Sequence, residues 1–555
     1  MVKNEIIALI GKAIAEAQNR GKLPQFDLPE IPLERPKQEE YGDYATPICF
    51  QLARLAHKSP LEIAEILAAH FPESESLSRV EVARPGFLNF TLDDRWLARQ
   101  VEEILAAGES YGNIDLGRGK RVQVEFVSAN PTGPLTLGSG RNAVLGDTLA
   151  KILEAAGYEV VREYYVNDAG TQMRLFAETL YARYAQALGR DEALPEEGYR
   201  GAYMVEMGRQ IAQREGDRFL KMERAEAVKA LSEIGLEKML ALIKEDLEAM
   251  GVHYDVWFSE GSLYRSGLFD KVLSLMRERG YVVERDGAVW FTSSELGEDK
   301  DNVIIRSDGE PGYFASDIAY HYNKFVERGF DRVIDVWGAD HQGHVPRMKA
   351  MMKALGLDPE RLTIIIYQLV TLRRGEEIVR LSKRTGDIIT LREVLEEVGS
   401  DAARFFLLSH SPDGQMDFDL ELAKEQSSEN PVYYVQYAHA RIASILRFAS
   451  QRGLSAEGGD VSLLKHEAEL ALIRQMLRLP EVIEQAALKL APHNLTYYAQ
   501  ELAGAYHPFQ KQCRVVSSDP ADWPLSRARL KLVQAAKIVL ARTLKLMGVS
   551  APERM

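Results

Sequence analysis

A strand, a long loop, a helix and a second strand restrict the fold of this chain most strongly. Residues 121–127, "RVQVEFV", form a β-branched run typical of a buried strand. Apolar residues at helical spacing follow from Val144 to Leu153, and Gly157 is the expected left-handed cap. The next segment, "YEVVREYYVND", is again a strand. This βαβ order predicts a parallel sheet covered by helices.

The loop between the strand and the helix carries a Gly-x-Gly turn within residues 130–141, "NPTGPLTLGSGR". A helix N-terminus offers free N–H groups and a positive dipole end, so this turn is a candidate phosphate site. The run from Gly138 to Ala143 matches the dinucleotide fingerprint G-x-G-x-x-A, with Glu163 as a ribose-binding acid. That fingerprint requires a turn directly after the strand, whereas ten residues, 128–137, intervene. An NAD-dependent oxidoreductase is therefore a distant alternative.

Composition excludes several classes of protein. No apolar run approaches the roughly 20 residues that span a bilayer. The two cysteines and the absence of any CxxC argue against a disulfide framework or a thiolate zinc site, and favour a cytoplasmic protein. The net charge of −14 argues against a nucleic-acid coat, but it allows local basic patches. Residues 521–548 form such a basic segment, interpreted equally well as an RNA contact or a solvated helix face.

The phrase "VEFVSANPTGPLTLGSGRNA" resembles the part of arginyl-tRNA synthetases, a class I aminoacyl-tRNA synthetase family, that contains the HIGH tetrapeptide. The glycine of that tetrapeptide is kept as Gly138, while Thr136 and Ser139 replace its two histidines. The resemblance continues in order over nearly the whole chain, through "YGDYATPICFQLA", "EYYVNDAGTQM", "WGADHQGHVPRMKAM", "DAARFFLL" and "NPVYYVQYAHARI". It implies an arginine–tRNA ligase with a divergent HIGH motif.

The expected fold is α/β, with three domains in a chain of 555 residues. Residues 1–112 are predicted to be a small α/β N-terminal add-on domain that contacts tRNA. Residues 113–399 are predicted to be a Rossmann-type, parallel-sheet catalytic domain with a helical insertion at about 174–251. Residues 400–555 are predicted to be an all-helical anticodon-binding (DALR) domain, since everything after Gly399 has a helical pattern.

The resemblance implies that the enzyme forms arginyl-adenylate from arginine and ATP with Mg²⁺, and then transfers arginine to the 3′-terminal adenosine of its tRNA. Such chemistry depends on positioning and on charge neutralisation. "VRLSKRTGD" resembles the mobile KMSKS loop, with Lys383 following the pyrophosphate and Ser382 and Arg384 assisting. Thr136 and Ser139 complete the catalytic set. The expected ATP contacts are Thr136, Gly138, Ser139, Gly140, Arg141, His341, His344 and Lys383.

Arginine recognition needs acceptors arranged for a planar guanidinium. The resemblance points to Glu125, Ser128, Asn130, Tyr313, Asp317, Asp340 and Gln342. Tyr313 and Asp317 are four residues apart and so share one helix face. A metal site in "GADHQGH" is the weaker interpretation, because further ligands at a familiar spacing are missing and no metal is expected.

The tRNA is expected to contact two surfaces far from the catalytic site. In "NPVYYVQYAHARI", Tyr434, Tyr437 and Arg441 form a stripe beside an aliphatic face, free to stack on anticodon bases. Phe87 and Asn89, with Phe90, are candidate contacts of the tRNA elbow. The resemblance further implies a monomer that needs bound tRNA for the activation step. The main alternative is an inactive, tRNA-binding paralogue, since both HIGH histidines are absent.

Overall fold

The N-terminal part is a three-stranded antiparallel sheet covered by helices. The computed structural model describes residues 1–381 and 388–555, with the side chains of Glu39 and Tyr313 outside that description. In this sheet the strand β3 (Phe87–Leu92) lies between β1 (Tyr44–Thr46) and β2 (Leu77–Ala83), and it pairs antiparallel with both. The elements of this part are α1 (Val2–Asn19), β1 (Tyr44–Thr46), α2 (Ile48–Ala56), α3 (Pro60–Ala69), β2 (Leu77–Ala83), β3 (Phe87–Leu92) and α4 (Asp94–Ala107).

The middle part begins with the predicted βαβ unit. It consists of β4 (Arg121–Glu125), α5 (Leu137–Ala155) and β5 (Glu159–Val166), and β4 pairs parallel with β5. Helix α5 is buried nearly all round, because it packs on the sheet on one side and on C-terminal helices on the other. Three further helices, which share their own apolar cluster, connect β5 to the next parallel strand. They are α6 (Gly170–Ala187), α7 (Ala202–Glu215) and α8 (Arg224–Ala249), followed by β6 (Val256–Ser259).

A small antiparallel sheet and its helices follow before the chain returns to the central sheet. These elements are α9 (Gly261–Arg265), α10 (Leu268–Glu278), β7 (Val282–Arg285), β8 (Ala288–Phe291), β9 (Asn302–Ile305), α11 (Tyr313–Tyr322), β10 (Arg332–Gly338), α12 (Val345–Ala354) and β11 (Leu362–Tyr367). The central sheet has the order β11-β10-β4-β5-β6, and every pair in it is parallel. The α/β prediction for this part is confirmed.

After Gly399 the chain is helical apart from one strand, β14 (Met416–Asp419). A three-stranded sheet and short helices lead from the central sheet to the C-terminal helices. They are β12 (Val370–Arg374), β13 (Glu377–Ile378), α13 (Leu391–Val398), α14 (Ser400–Leu408), β14 and α15 (Leu420–Lys424). Strand β14 pairs with β12, although the sequence after Gly399 predicts helices only. The C-terminal helices are α16 (Pro431–Gln451), α17 (Glu467–Met476), α18 (Leu479–Lys489), α19 (Asn494–Gln512) and α20 (Trp523–Met547). No helix in the described ranges is long and apolar enough to cross a membrane.

A guanidinium without solvent contact joins the middle and last parts of the chain. Arg404, on α14, has no exposed side-chain surface and forms an ion pair with Asp147 of α5. It also donates to the carbonyl oxygen of Met250 at 2.8 Å and to that of Met547 at 2.8 Å. Gly548 must stay a glycine there, since its φ is 68° and an added Cβ would lie 2.3 Å from the guanidinium.

Three basic side chains of α20 contact the N-terminal part of the chain and the segment that follows it. Lys531 pairs with Glu102 on α4 at 2.5 Å, and Lys545 pairs with Glu109 at 2.7 Å. Arg542 donates to the amide oxygen of Asn113 at 2.6 Å. The basic segment at 521–548 therefore serves in part as an internal docking face, and the interpretation as a solvated helix face holds for Lys545 but not for Lys531 and Arg542.

Replacing Arg404 with Met is expected to separate the parts of the chain. The change removes the buried partner of Asp147 and leaves it with Lys151 at 2.8 Å and Arg162 at 3.9 Å, and breaking a buried pair costs about 3–5 kcal/mol. We expect the main thermal transition to fall by roughly 10 °C or to split in two, as measured by differential scanning calorimetry. Lys221→Met, which removes an exposed pair with Asp217, is the control and should leave the transition unchanged. An unaltered transition in Arg404→Met would contradict this role.

Candidate active site

The central sheet has one position where its direction of growth reverses. From β4 the chain adds β5 and β6 on one side, and it then returns to place β10 and β11 on the other side. Ligands of open parallel sheets bind in the crevice outside the carboxyl ends of the strands at such a point. Here the crevice lies between the loop that follows β4 and the 3-10 helix Ala339–His344 that follows β10.

The chain leaves β4 through two strained residues. Val127 and Ser128 have φ angles of 67° and 42°, a left-handed conformation that costs about 1–3 kcal/mol for each non-glycine residue. The amide of Asn142, on α5, holds this turn: its oxygen accepts from the Val127 N–H at 2.9 Å, and its nitrogen donates to the Val336 carbonyl at 2.9 Å. Asn142 therefore fixes the exit from β4 relative to β10.

Three tyrosine hydroxyls hold the loop that follows. Tyr254 donates to the carbonyl of Phe126 at 3.1 Å, and Tyr164 donates to that of Ala129 at 2.8 Å. Tyr203, from the helices between β5 and β6, donates to the carbonyl of Thr132 at 2.6 Å. These tyrosines supply donors to carbonyl groups that no strand partner satisfies.

The predicted phosphate turn is the N-terminus of α5. Thr136 is the N-cap residue, and its hydroxyl oxygen accepts from the Ser139 N–H and lies 3.4 Å from the Ser139 hydroxyl. Among the described residues, an added Cβ at Gly138 would meet only the Thr136 hydroxyl, at 3.6 Å, so no described side chain covers this backbone. At Gly140 an added Cβ would lie 2.7 Å from Leu391, so this glycine serves packing against α13.

Arg141 does not reach the crevice, which corrects its prediction as an ATP contact. Its side chain has no exposed surface, and its guanidinium donates to the carbonyl oxygens of Gln368, Ser411 and Gly414 at 2.6–2.9 Å. The sequence placed it near the phosphate turn correctly. Its partners are carbonyl groups more than 200 residues away in the sequence, and no local sequence pattern predicts them.

The chain that follows the segment resembling KMSKS lies beside the predicted phosphate turn. Ser382, Lys383 and Arg384 lie outside the described residues. Just after them, Thr390 forms an antiparallel bridge with Thr136, and the Leu391 N–H donates to the Leu135 carbonyl at 2.7 Å. The chain therefore returns from this segment at the base of the α5 N-terminus.

Acidic side chains line the crevice on the other side of the β4 exit. Asp317, on α11, is half-buried, and burial raises its pKa. Glu260 follows β6 and accepts a hydrogen bond from Ser316, and burial, assisted by the charges of Asp317 and Asp168, raises its pKa to about 7. The hydroxyl of Tyr165 is buried nearby, and burial together with the charges of Glu260, Asp317 and Glu125 raises its pKa. The group is suited to a cationic ligand that supplies donors.

The remaining residues predicted for arginine lie around this acidic group. Ser128 donates to Glu125 at 3.0 Å and accepts from the Tyr165 N–H at 3.1 Å. Asn130 is exposed and bonds the side chains of Gln172 and Asn167 at 2.6 and 2.7 Å. Helix α11 begins at Tyr313.

Exposed polar side chains follow β10 at the other rim of the crevice. His341 lies 3.3 Å from the Asp340 carboxylate, and its ring contacts those of Trp337 and His344. Partial burial and the nearby charge of Arg347 lower the pKa of His344, so that its imidazole is neutral at pH 7. Asp340, His341, Gln342 and His344 are all exposed to solvent.

The predicted anticodon stripe is an exposed aromatic surface. Tyr437 is 41% exposed, and its ring stacks against Tyr433 and the ring of His507 from α19. Tyr434 contacts the same histidine at 4.6 Å between ring centroids, and Arg441 is exposed one turn further along α16. Asn430 caps the helix by accepting from the N–H groups of Val432 and Tyr433.

The candidate contacts of the tRNA elbow on β3 lie on two different faces of this strand. Phe87 is half-buried and packs edge-on against the exposed ring of Phe50, at 5.1 Å. Asn89 is 7% exposed, and Phe90 is completely buried in the core of the N-terminal part. Phe90 is therefore wrong as a tRNA contact, because strand alternation turns it inward.

Sequence reasoning missed part of the acidic group. Glu260, Ser316 and Tyr165 lie at the crevice, and none was singled out. Glu260 comes directly after a strand of the parallel sheet, as Asp340 does. Residues that follow the carboxyl ends of parallel strands meet at one edge of the sheet, and this position in the sequence could have identified Glu260 as a candidate site residue.

Three family models match the chain in order. The "Arginyl tRNA synthetase N terminal domain" matches residues 4–92, "tRNA synthetases class I (R), catalytic domain" matches residues 100–442, and "DALR anticodon binding domain" matches residues 435–555. An arginine–tRNA ligase of Dehalococcoides mccartyi (strain CBDB1) is 56% identical over 554 residues, which cover 100% of this chain and 99% of the relative. One of Carboxydothermus hydrogenoformans is 51% identical over 557 residues, covering 100% and 99%.

The fold agrees with these sequence relations. The structure of Thermus thermophilus arginyl-tRNA synthetase superimposes with a TM-score of 0.78 at 25% identity, and the match covers 100% of both chains. The predicted resemblance is confirmed over the full length, and the chain belongs to the arginyl-tRNA synthetase family of class I aminoacyl-tRNA synthetases.

Proposed function

We propose that the crevice between β4 and β10 is where this chain, an arginine–tRNA ligase that uses ATP, activates arginine. One observation carries the assignment of the site. An open helix N-terminus and a cluster of half-buried carboxylates lie on neighbouring sides of the β4 exit, at the reversal point of the sheet. The first suits the phosphates of ATP, and the second suits a guanidinium.

Activation joins the arginine carboxylate to the α-phosphate of ATP and expels pyrophosphate. In this proposal the backbone at Gly138, with the hydroxyls of Thr136 and Ser139, faces the phosphates, and Mg²⁺ enters with ATP. Lys383, with Ser382 and Arg384, neutralises the departing pyrophosphate. His341 and His344 face the adenosine, where the neutral imidazole of His344 supplies one donor and one acceptor.

Arginine is proposed to place its guanidinium against Asp317 and Glu260. Tyr313 on the same helix, and the hydroxyl of Tyr165, complete that end of the pocket. Polar groups between the acidic group and the phosphate turn are proposed to hold the α-amino and carboxylate end, which brings the carboxylate to the α-phosphate. Those groups are Glu125, Ser128, Asn130, Asp340 and Gln342.

The tRNA is proposed to lie across the whole chain, from Phe87 and Asn89 to the aromatic stripe of α16. The DALR part contacts the anticodon, and the tRNA 3′ end enters the crevice to accept arginine. We further propose domain limits near residues 112 and 399, the helical insertion at about 174–251, a cytoplasmic monomer, and activation that requires bound tRNA.

Substitution of Lys383 tests the ligase reaction. Lys383→Ala is expected to lower the rate of arginine-dependent tRNA charging about 100-fold, since one donor to the departing charge is lost. Charging of arginine tRNA by purified protein measures it. Lys424→Ala, a partly exposed lysine on α15 that pairs with Glu397 and Glu421, is the matched control and should charge at the wild-type rate.

The same measurement separates an active ligase from an inactive paralogue. A wild-type protein that binds arginine tRNA but charges none of it would identify the chain as the paralogue. Equal rates for wild type and Lys383→Ala would remove Lys383 from the mechanism but leave the ligase intact.

The carboxyl group of Glu260 predicts how arginine binding depends on pH. Its pKa is about 7 in the free protein, and it must be charged to pair with a guanidinium. Below pH 7 the protonated fraction grows, so the KM for arginine should rise about tenfold for each pH unit lost, and level off above pH 7. Initial charging rates at pH 5.5–8 at saturating ATP and tRNA measure this.

Two variants distinguish Glu260 from other titrating groups. Glu260→Gln should have a raised KM for arginine that no longer varies with pH in this window. Asp317→Asn should keep the slope but move it to lower pH, because the neighbouring charge that raises the pKa of Glu260 is gone. An unchanged slope in Glu260→Gln would disprove the assignment.

Tyr437 predicts a separate effect on tRNA. Tyr437→Ala should raise the KM for tRNA by roughly 10- to 100-fold, because stacking of one base on an aromatic ring contributes about 1–3 kcal/mol. The KM for arginine should stay constant. Tyr497→Ala, which removes an exposed ring of α19 outside the stripe, should alter neither constant. Equal KM values for tRNA in the two variants would exclude the stripe as a contact.

A further inference from the structure

A buried lysine lies directly beneath the proposed arginine pocket. Lys324 has no exposed side-chain surface and belongs to the π-helical turn Asn323–Glu327 that continues α11. Its ammonium nitrogen lies 2.6 Å from one carboxylate oxygen of Glu125 and 3.0 Å from one of Asp335. It also lies 4.2 Å from the centroid of the Tyr320 ring. Single-turn π-helices often occur at functional sites.

The two carboxylates bound by Lys324 face each other across neighbouring strands. Glu125 ends β4, Asp335 lies on β10, and the two residues are register partners at the reversal point. Two buried carboxylates at such a distance cannot both stay ionised without a cation. His321, one turn before Lys324 on the same helix face, binds the second oxygen of Asp335 at 2.9 Å.

These contacts set the charges of the group. Burial raises the pKa of Glu125, and the charge of Lys324 limits that rise. Burial also opposes ionisation of Asp335, but Lys324 and His321 overcome it and lower its pKa. The pKa of Lys324 is raised although it is buried, because Asp335 and Glu125 favour its charged form. The groups that face the ammonium from the surrounding elements are Glu125, Asp335, Glu163, Tyr320 and His321.

A chain of hydrogen bonds leads from Lys324 to the wall of the pocket. The second oxygen of Glu125 accepts from the Ser128 hydroxyl, and the Ser128 oxygen accepts from the N–H of Tyr165. Ser128 is one of the two strained residues at the β4 exit. The orientation of Glu125 thus fixes the side chain of Ser128, and both residues belong to the proposed arginine site.

We infer that Lys324 is a positioning residue for arginine binding, which holds Glu125 as an oriented carboxylate without touching the substrate. The inference rests on the proposed placement of Glu125 and Ser128 at the arginine site. It assigns a function to a lysine that has no access to solvent or ligand. Its effect is expected in the KM for arginine, since the phosphate turn lies on the other side of the β4 exit and is held by different residues.

Lys324→Met tests the inference, because it should change the KM for arginine and leave the KM for ATP nearly constant. Without the ammonium, Glu125 and Asp335 share a proton, and the KM for arginine should rise roughly 10- to 100-fold, the equivalent of one charged hydrogen bond. The KM for ATP should change less than twofold. Because the two carboxylates cannot both ionise without the ammonium, raising the pH from 7 to 8.5 should leave the KM for arginine of this variant raised. Lys324→Arg, which keeps the charge, should recover part of the affinity.

Arg328→Met is the matched control for loss of a buried cation. Arg328 follows the same π-helical turn and forms a two-bond ion pair with Glu163, which is completely buried. This variant should lose thermal stability, as Lys324→Met does, but keep the wild-type KM for arginine. A Lys324→Met protein that melts earlier but has a wild-type arginine KM would overturn the inference and reduce Lys324 to a structural role.

A double variant covers the case in which Lys324→Met does not fold. Lys324→Met with Asp335→Asn removes one positive and one negative charge together, which is better tolerated than leaving one unpaired. It should still show the raised KM for arginine, and a wild-type KM would overturn the inference. If the wild-type protein charges no tRNA at all, the proposed function fails, and a calorimetric titration with arginine then decides the role of Lys324 alone.

Discussion

The ion pair between Arg404 and Asp147 holds the active site and the tRNA-binding helices in one molecule. Asp147 lies on α5, the helix whose N-terminus is the phosphate turn, and Arg404 also holds the ends of α8 and α20 through their carbonyl groups. Neighbouring Asp401 bonds Ser550 and Gln436 of α16, so the same short helix fixes the aromatic stripe. The proposed phosphate turn and the aromatic stripe are thus connected through one short helix, by an ion pair that is inaccessible to solvent.

The crevice itself depends on a second set of buried charges. Lys324 and His321 bind Glu125 and Asp335 at the point where the sheet reverses, and the strained turn of Val127 and Ser128 begins two residues after Glu125. Strain of this kind persists only where surrounding contacts over-determine it. Asn142 and the tyrosine hydroxyls supply those contacts from several elements, so that the loop is held before any substrate arrives.

The sequence predicted the parts of the fold that follow from local pattern. The β-branched run before α5, the left-handed Gly157 after this helix and the strand β5 that follows each depend on residues close in sequence, and each is where the pattern indicated. Arg141 and the basic side chains of α20 were misjudged, because their partners lie hundreds of residues away. Glu260 was missed for a related reason: it joins the acidic group only once parallel strand ends converge. Sequence motifs pointed to the phosphate turn and to Asp317 as parts of the site. The contacts of the buried Lys324 with Glu125 and Asp335 became visible only in the folded structure.

Thr136 and Ser139 stand in place of the two HIGH histidines. They affect the side-chain contacts at the N-terminus of α5, and the turn still lies at that N-terminus. Thr136 caps α5 with its hydroxyl, a role in which threonine is preferred and worth about 1 kcal/mol over a residue without a capping oxygen. The cap orients the first N–H groups of the helix, and Gly138 leaves them approachable. An anion site made of backbone donors needs no imidazole charge, and in the proposed mechanism Lys383 supplies a positive charge. The proposed phosphate turn therefore does not depend on imidazoles for its electrostatics, and its side chains stabilise the helix that supplies the donors.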